Sequence, residues 1–168
     1  MKFFLIGFMG SGKTHWGSLL AERFQLPFFD LDQVIVDYEQ KSIAEIFTEK
    51  GEEYFRYSEK ESLEQLVDKN NEFIISCGGG TPCFFNNIQF MKRKGKVIWL
   101  NTNIDILVTR LLKEKNSRPL IRNIAEEELK SYILQKILNR KIYYEQADIA
   151  VTEERQSIDT FTEILRNA

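Results

Sequence analysis

The sequence predicts an α/β fold, a five-stranded parallel sheet with helices on both faces. Three observations carry that expectation. Short apolar runs recur along the chain, at 2–6, 26–29, 73–77, 96–100 and 148–151. Between them lie longer stretches whose apolar residues repeat at helical spacing. The first three runs end on residues suited to a ligand: a glycine-rich turn, a pair of aspartates, and three consecutive glycines. In an open α/β sheet, ligands gather beyond the carboxyl ends of the strands.

The first run leads directly into Gly7-Phe8-Met9-Gly10-Ser11-Gly12-Lys13-Thr14, which fits G-x-x-x-x-G-K-[ST]. Trp16, Leu19, Leu20 and Phe24 then recur at helical spacing. Strand, glycine turn and helix follow in the order that a phosphate-cradling loop requires. The glycines let the backbone approach phosphates, and the amides at the helix start point at negative charge. Lys13 would reach the β- and γ-phosphates, and the Thr14 hydroxyl would ligate Mg²⁺. The agreement of motif and context disfavours a plain glycine turn with an exposed lysine.

Bulk properties narrow the classes. The 168 residues are 43% hydrophobic, enough for one domain with a sizeable core. No apolar run is long enough to cross a bilayer, and the start of the chain reads as a strand rather than a signal peptide. A cytoplasmic protein is expected, with no membrane association. The formal net charge of −2 argues against general nucleic-acid affinity. The basic run Lys92-Arg93-Lys94 with Lys96 reads as a solvated helix end and turn. Cys77 and Cys83 have no metal-type spacing, and the single histidine, His15, excludes a multi-histidine metal site.

The second strand ends at Asp30-Leu31-Asp32. Strand alternation puts Asp30 and Asp32 on one side, beside the phosphate loop. Two carboxylates there would hold Mg²⁺ or accept a hydroxyl proton; alternatively one of them caps a helix starting near Gln33. From 42 to about 69 the pattern is helical with a break near Gly51, opened by Ser42-Ile43-Ala44-Glu45 in the form of a capping box. Arg56 lies three residues before Glu59, so the carboxylate can orient the guanidinium. Spacing alone favours a surface ion pair of little weight.

The third strand is followed by Gly78-Gly79-Gly80-Thr81-Pro82. The glycines fit either close backbone approach to a ligand or a flexible loop, with Thr81 and Pro82 as a helix cap and first turn. After the fourth strand a helix is expected over 103–115. Asn116-Ser117-Arg118-Pro119-Leu120-Ile121 then breaks the pattern; Arg118 either folds over the phosphates as part of a closing loop or is an exposed connector residue. A helix over about 125–146 carries Leu129, Ile133, Ile137 and Tyr144 on one stripe. Arg140 falls on that stripe and needs either a partner or a path to solvent for its head group. The fifth strand and a closing helix over 158–165 complete the chain.

Together these residues resemble the shikimate kinase family over nearly the whole chain. The likeness rests on 7–14, Asp30-Leu31-Asp32, Phe55-Arg56 with Glu59, Gly78-Gly79-Gly80, Arg118-Pro119-Leu120, and Arg140 followed by Tyr144. It implies a three-layer P-loop kinase fold spanning 1–168, with a mobile lid at about 116–123 and a substrate-binding helical region at about 32–60. It implies transfer of the γ-phosphoryl group of MgATP to the 3-hydroxyl of shikimate, on the route to chorismate and aromatic amino acids, by a monomer. Carried over by motif, Gly10, Ser11, Gly12, Lys13, Thr14 and Arg118 serve the nucleotide. Thr14 also ligates Mg²⁺, with Asp30 in the metal's outer shell. Asp32 meets the accepting hydroxyl, Arg56 and Arg140 clamp the carboxylate, and the amides of Gly78, Gly79 and Gly80 line the substrate.

One departure is His15, where the family usually has a small hydroxyl residue; its backbone amide can still serve the phosphates. For the adenine site, Arg110, Arg155 and Gln156 are the candidates. Two other readings compete. One is another small-metabolite kinase, such as a gluconate kinase; the other is a nucleotide-dependent regulatory module without turnover.

Overall fold

A computed structural model describes residues 1–117 and 120–167. Five strands form one sheet: β1 (Lys2–Ile6), β2 (Phe28–Asp30), β3 (Phe73–Ser76), β4 (Lys96–Asn101) and β5 (Ile149–Thr152). Their order is β2-β3-β1-β4-β5, and every pairing is parallel. The helices are α1 (Lys13–Phe24), α2 (Leu31–Glu39), α3 (Ile43–Lys69), α4 (Asn87–Lys94), α5 (Ile104–Lys113), α6 (Glu126–Tyr144) and α7 (Ile158–Arg166).

β1 is apolar at nearly every position because both faces are covered. Phe4 and Ile6 pack with Ile75 and Val97 against Leu31, Ile35, Ile46, Leu63 and Met91. Phe3 and Leu5 pack on the other side with Ile74, Ile98, Leu20, Phe161 and Leu165. A third cluster joins Phe8 of the glycine loop to Leu107, Leu111, Ile121, Leu129 and Ile133, which ties the loop to α5 and α6.

Several local expectations are met in detail. Ser42 and Glu45 form both halves of the capping box. Gly51 breaks α3 with φ 83° and ψ 169°, a conformation that side chains disfavour. Three expectations are corrected. β2 stops at Asp30 and the next helix starts at Leu31, so strand alternation does not relate the two aspartates. The cause is Leu31, which is buried as the first residue of α2. Thr81 and Pro82 do not open a long helix; they form a short 3-10 turn, and α4 begins only at Asn87. The helix expected over 103–115 ends at Lys113 and a 3-10 turn follows. Among the described residues, no helix is long and apolar enough to cross a membrane.

Candidate active site

The central strand delivers the glycine loop to the carboxyl edge of the sheet. Gly10 and Gly12 take φ values of 79° and 94°, which the turn into α1 requires. Lys13, the first residue of α1, is nearly buried, and its ammonium donates to the carbonyls of Gly7 (3.0 Å) and Phe8 (2.9 Å). Ser11 is fully buried, and its Oγ has no hydrogen-bond partner among the described residues. Thr14 Oγ1 donates to Asp30 Oδ2 at 2.6 Å, while Asp30 Oδ1 accepts weakly from the Gln33 amide at 3.4 Å and so caps α2. Capping and proximity to the phosphate loop therefore coexist at Asp30. The loop, Thr14, His15, Asp30, Asp32, Gly78 and Gly79 line a cavity of about 510 Å³.

A second cavity, of about 460 Å³, lies beside it and is lined by Phe55, Arg56, Glu59, Gly80, Leu120 and Arg140 among others. Met9, Asp32, Gly78 and Gly79 line both. Asp32, in the first turn of α2, thus stands at the boundary between a phosphate-type cradle and a pair of arginines.

The second cavity is built around a buried charge pair. Arg56 is only 8% exposed and Glu59 is inaccessible, with 3.0 Å between Arg56 Nη1 and Glu59 Oε2. The surface-pair reading of Arg56 is therefore wrong. Removing one member of such a pair costs about 3–5 kcal/mol, because the other charge is left buried alone. Thr81 Oγ1 donates to Glu59 Oε1 at 2.5 Å. The Arg56 guanidinium also lies 4.4 Å from the centre of the Phe84 ring. Burial pushes the Glu59 carboxyl above the usual carboxylate range, against the opposing pull of Arg56 and Thr81.

The three glycines are small because their neighbours are close. A Cβ on Gly78 would sit 2.8 Å from Glu59 Oε1 and 2.9 Å from Asp32 Oδ1. One on Gly80 would sit 2.6 Å from Arg56 Nη1, and one on Gly79 3.1 Å from Arg140 Nη1. The nearness of the Glu59, Asp32, Arg56 and Arg140 side chains, rather than loop flexibility, is a reason for glycine at these positions. Tyr144 is buried and donates from its hydroxyl to the Gly79 carbonyl at 2.6 Å, which ties α6 to this turn. Burial raises the Tyr144 phenol, keeping it a donor. Arg140, one turn earlier on α6, is half-buried with its guanidinium 5.5 Å from the centre of the Phe8 ring, so it is directed inward rather than out to solvent.

A family model described as shikimate kinase matches residues 9–168. The shikimate kinase of Azobacteroides pseudotrichonymphae is 38% identical over 164 residues, covering 98% of this chain and 96% of that protein. The chain belongs to the shikimate kinase family. Among solved structures, the shikimate kinase of Bacteroides thetaiotaomicron superposes with a TM-score of 0.90 at 37% identity, covering 99% of this chain and 97% of that one. The Acinetobacter baumannii shikimate kinase, solved in complex with shikimate, gives 0.86 at 30% identity, with 99% and 91% covered. The shikimate kinase family is one of ATP-dependent kinases, so ATP is the co-substrate.

The remaining expected residues divide. Arg110 and Gln156 do line the 510 Å³ cavity, with Trp16, Glu114 and Glu153. Arg155 does not: it is exposed and lines a separate surface cavity with Lys96, Ile149 and Asn167, because the 3-10 turn after β5 carries it away from the loop. Arg118 and Pro119 lie outside the described residues. Sequence reasoning missed Glu153, Trp16 and Thr81. For Glu153 the available signal was its place directly after a strand at the ligand edge. Cys77 is buried and its thiol raised by burial; Cys83 is pushed up by burial to about 11, so neither is an activated nucleophile. Among the described residues no three His, Cys, Asp or Glu side chains cluster as a metal site. A Thr14 hydroxyl and an Asp30 carboxylate 2.6 Å apart suit Mg²⁺, which takes few protein oxygens alongside phosphates.

Proposed function

We propose that this chain transfers the γ-phosphoryl group of MgATP to the 3-hydroxyl of shikimate, giving shikimate 3-phosphate. The observation that carries this reading is Asp32, which lines both the phosphate-loop cavity and the cavity of Arg56 and Arg140. An alcohol seated between the two has its reacting oxygen beside that carboxylate. The oxygen attacks the γ-phosphorus and gives up its proton toward the Asp32 carboxylate, the bond from that phosphorus to the β–γ bridging oxygen breaks, and ADP leaves.

Each residue then has a task that its position supports. The amides of Gly10, Ser11, Gly12 and His15 and the Lys13 ammonium hold the phosphates. Thr14, with Asp30 behind it, holds Mg²⁺, whose charge neutralises the phosphate oxygens. Asp32 accepts the hydrogen bond of the attacking hydroxyl and fixes its direction. Arg56 and Arg140 bind the shikimate carboxylate, since a planar guanidinium matches it at two points. The backbone of Gly78, Gly79 and Gly80 lines the ring. Glu59 holds Arg56 at the required angle.

The same reading treats 1–168 as one domain working as a cytoplasmic monomer in the supply of chorismate. Residues 116–123 act as its lid, with Arg118 on the nucleotide phosphates. Leu120 in the wall of the arginine cavity and buried Ile121 in the cluster of Phe8 support placing this segment beside the site. A coupled assay of ADP release tests the function: shikimate accelerates release and gluconate does not. Release stimulated by gluconate, or by no acceptor, overturns it.

A further inference from the structure

We propose that Phe84 is a positioning residue for the carboxylate grip: its ring sets the plane in which Arg56 presents its fork. This rests on the reading of Arg56 as a ligand for the acid group of the acceptor. Two carboxylates hold the edges of Arg56. Nη1 donates to Glu59 Oε2 at 3.0 Å, and Nε and Nη2 both donate to Glu52 Oε1 at 3.3 Å. Among the described residues these bonds take up three of its five N–H groups, leaving one on Nη1 and one on Nη2 for a ligand. Hydrogen bonds from a guanidinium lie in its plane. They fix the group along its edges but restrain its tilt poorly.

Tilt is set by the rings packed against the group. Arg56 Cζ stands over the Phe84 ring at 4.4 Å, against 5.1 Å for Phe55 and 5.9 Å for Phe47. An aromatic face at that distance attracts the cation. Phe47 and Phe55 belong to α3, the helix that carries Arg56 itself. Phe84 comes from elsewhere, directly after the 3-10 turn at Thr81–Cys83. It is therefore the ring that places Arg56 relative to the turn after β3, where Gly78 and Gly79 join the two cavities.

The segment around Phe84 is built to hold that ring in place. Thr81 Oγ1 donates to Glu59 Oε1, Asn87 Nδ2 donates to the Thr81 carbonyl at 3.0 Å, and the Asn87 amide donates to the Phe84 carbonyl at 2.9 Å. Thr81 and Asn87 are both buried. The contacts close on themselves, from Arg56 through Glu59, Thr81 and Asn87 to Phe84 and back to Arg56. The backbone next to the ring is strained: Phe85 and Asn86 have φ values of 48° and 58°. Asparagine tolerates this region, but a bulky aromatic residue enters it at a cost. Phe85 stays 50% exposed, so burial of its own ring is not what the turn serves. Strain of this kind persists where the surroundings over-determine it, and it gathers at ligand sites.

The test is steady-state kinetics of the full chain with shikimate and ATP. In Phe84→Leu, which keeps apolar bulk and loses the ring, the KM for shikimate rises about three- to tenfold. The KM for ATP and kcat stay within about twofold of wild type. Phe84→Tyr, which keeps the ring, keeps the wild-type KM for shikimate. In an Arg56→Lys background, Phe84→Leu adds less than about twofold, because the planar fork that the ring orients is already gone. A ring that served folding alone would weaken both substrates together, and its effect would add in full to that of Arg56→Lys. Any of four results overturns the proposal and leaves the shikimate reaction in place: an unchanged KM for shikimate in Phe84→Leu, equal loss for ATP, a Phe84→Tyr variant as impaired as Phe84→Leu, or full additivity with Arg56→Lys. Should shikimate fail to accelerate ADP release in the wild type, the proposed reaction and this inference fall together.

Discussion

The two cavities that meet at Asp32 are built in opposite ways. The phosphate cradle comes almost entirely from residues 7–14, one strand end, one turn and the first turn of α1. On the proposed reading its working groups are backbone amides and one lysine. The neighbouring cavity gathers side chains from α2, α3, the turn after β3 and α6, residues that span 32 to 140. On the proposed reading its working groups are arginines, beside a buried carboxylate and glycines whose added Cβ would lie 2.6 to 3.1 Å from a neighbouring side chain. A cradle of amides depends on the backbone path, which Gly10 and Gly12 set, more than on side chains from distant elements. A grip of side chains depends on each one, and on the packing beneath it.

That contrast has consequences that can be broken one residue at a time. The largest lies at the boundary. Asp32→Asn removes the acceptor for the reacting hydroxyl while leaving both cavities in place, so kcat falls by about 10²- to 10⁴-fold with ATP affinity nearly unchanged. Wild-type turnover in that variant would take Asp32 out of the chemistry. Next comes Arg56→Lys, which keeps the charge but loses the planar fork. The KM for shikimate rises by about tenfold or more while that for ATP holds, which would mark the arginine cavity as separable from the cradle. Equal loss for both ligands would mean that the cavities are not distinct.

The smallest effect concerns pH. The Glu59 carboxyl is raised in the folded chain by burial. The folded state therefore holds that proton more tightly than the unfolded chain, and its contribution to stability is greatest at acid pH. It declines as pH climbs from the ordinary carboxylate value to the raised native one, then stays level. The difference in unfolding free energy between wild type and Glu59→Gln, followed by denaturant titration at several pH values, falls across that window. A difference that rises with pH would show that pairing with Arg56 outweighs burial.

The same contrast explains what could be read in advance. The phosphate loop, the capping box at Ser42 and the break at Gly51 are local, set by spacings of a few residues, and all are visible in the sequence. The Arg56–Glu59 spacing was visible too, but its burial was not. That depends on Phe84 and Gly80, which arrive from a distant segment. The relation of Asp30 to Asp32 was misjudged because a buried Leu31 starts a helix where alternation assumed a strand. Arg155 was misplaced because a single 3-10 turn decides whether a side chain after β5 faces the cavity or solvent. Glu153, two residues earlier, lines that cavity.

The most direct trial of the shared boundary is a crystal structure of the chain with shikimate and a non-hydrolysable ATP analogue. The 3-hydroxyl should lie about 3 Å from the Asp32 carboxylate, with the shikimate carboxylate on Arg56 and Arg140 and the terminal phosphate beside Lys13. Shikimate bound with its carboxylate away from both arginines, or with its hydroxyl out of reach of the terminal phosphate, would contradict the assignment of the two cavities to one transfer reaction.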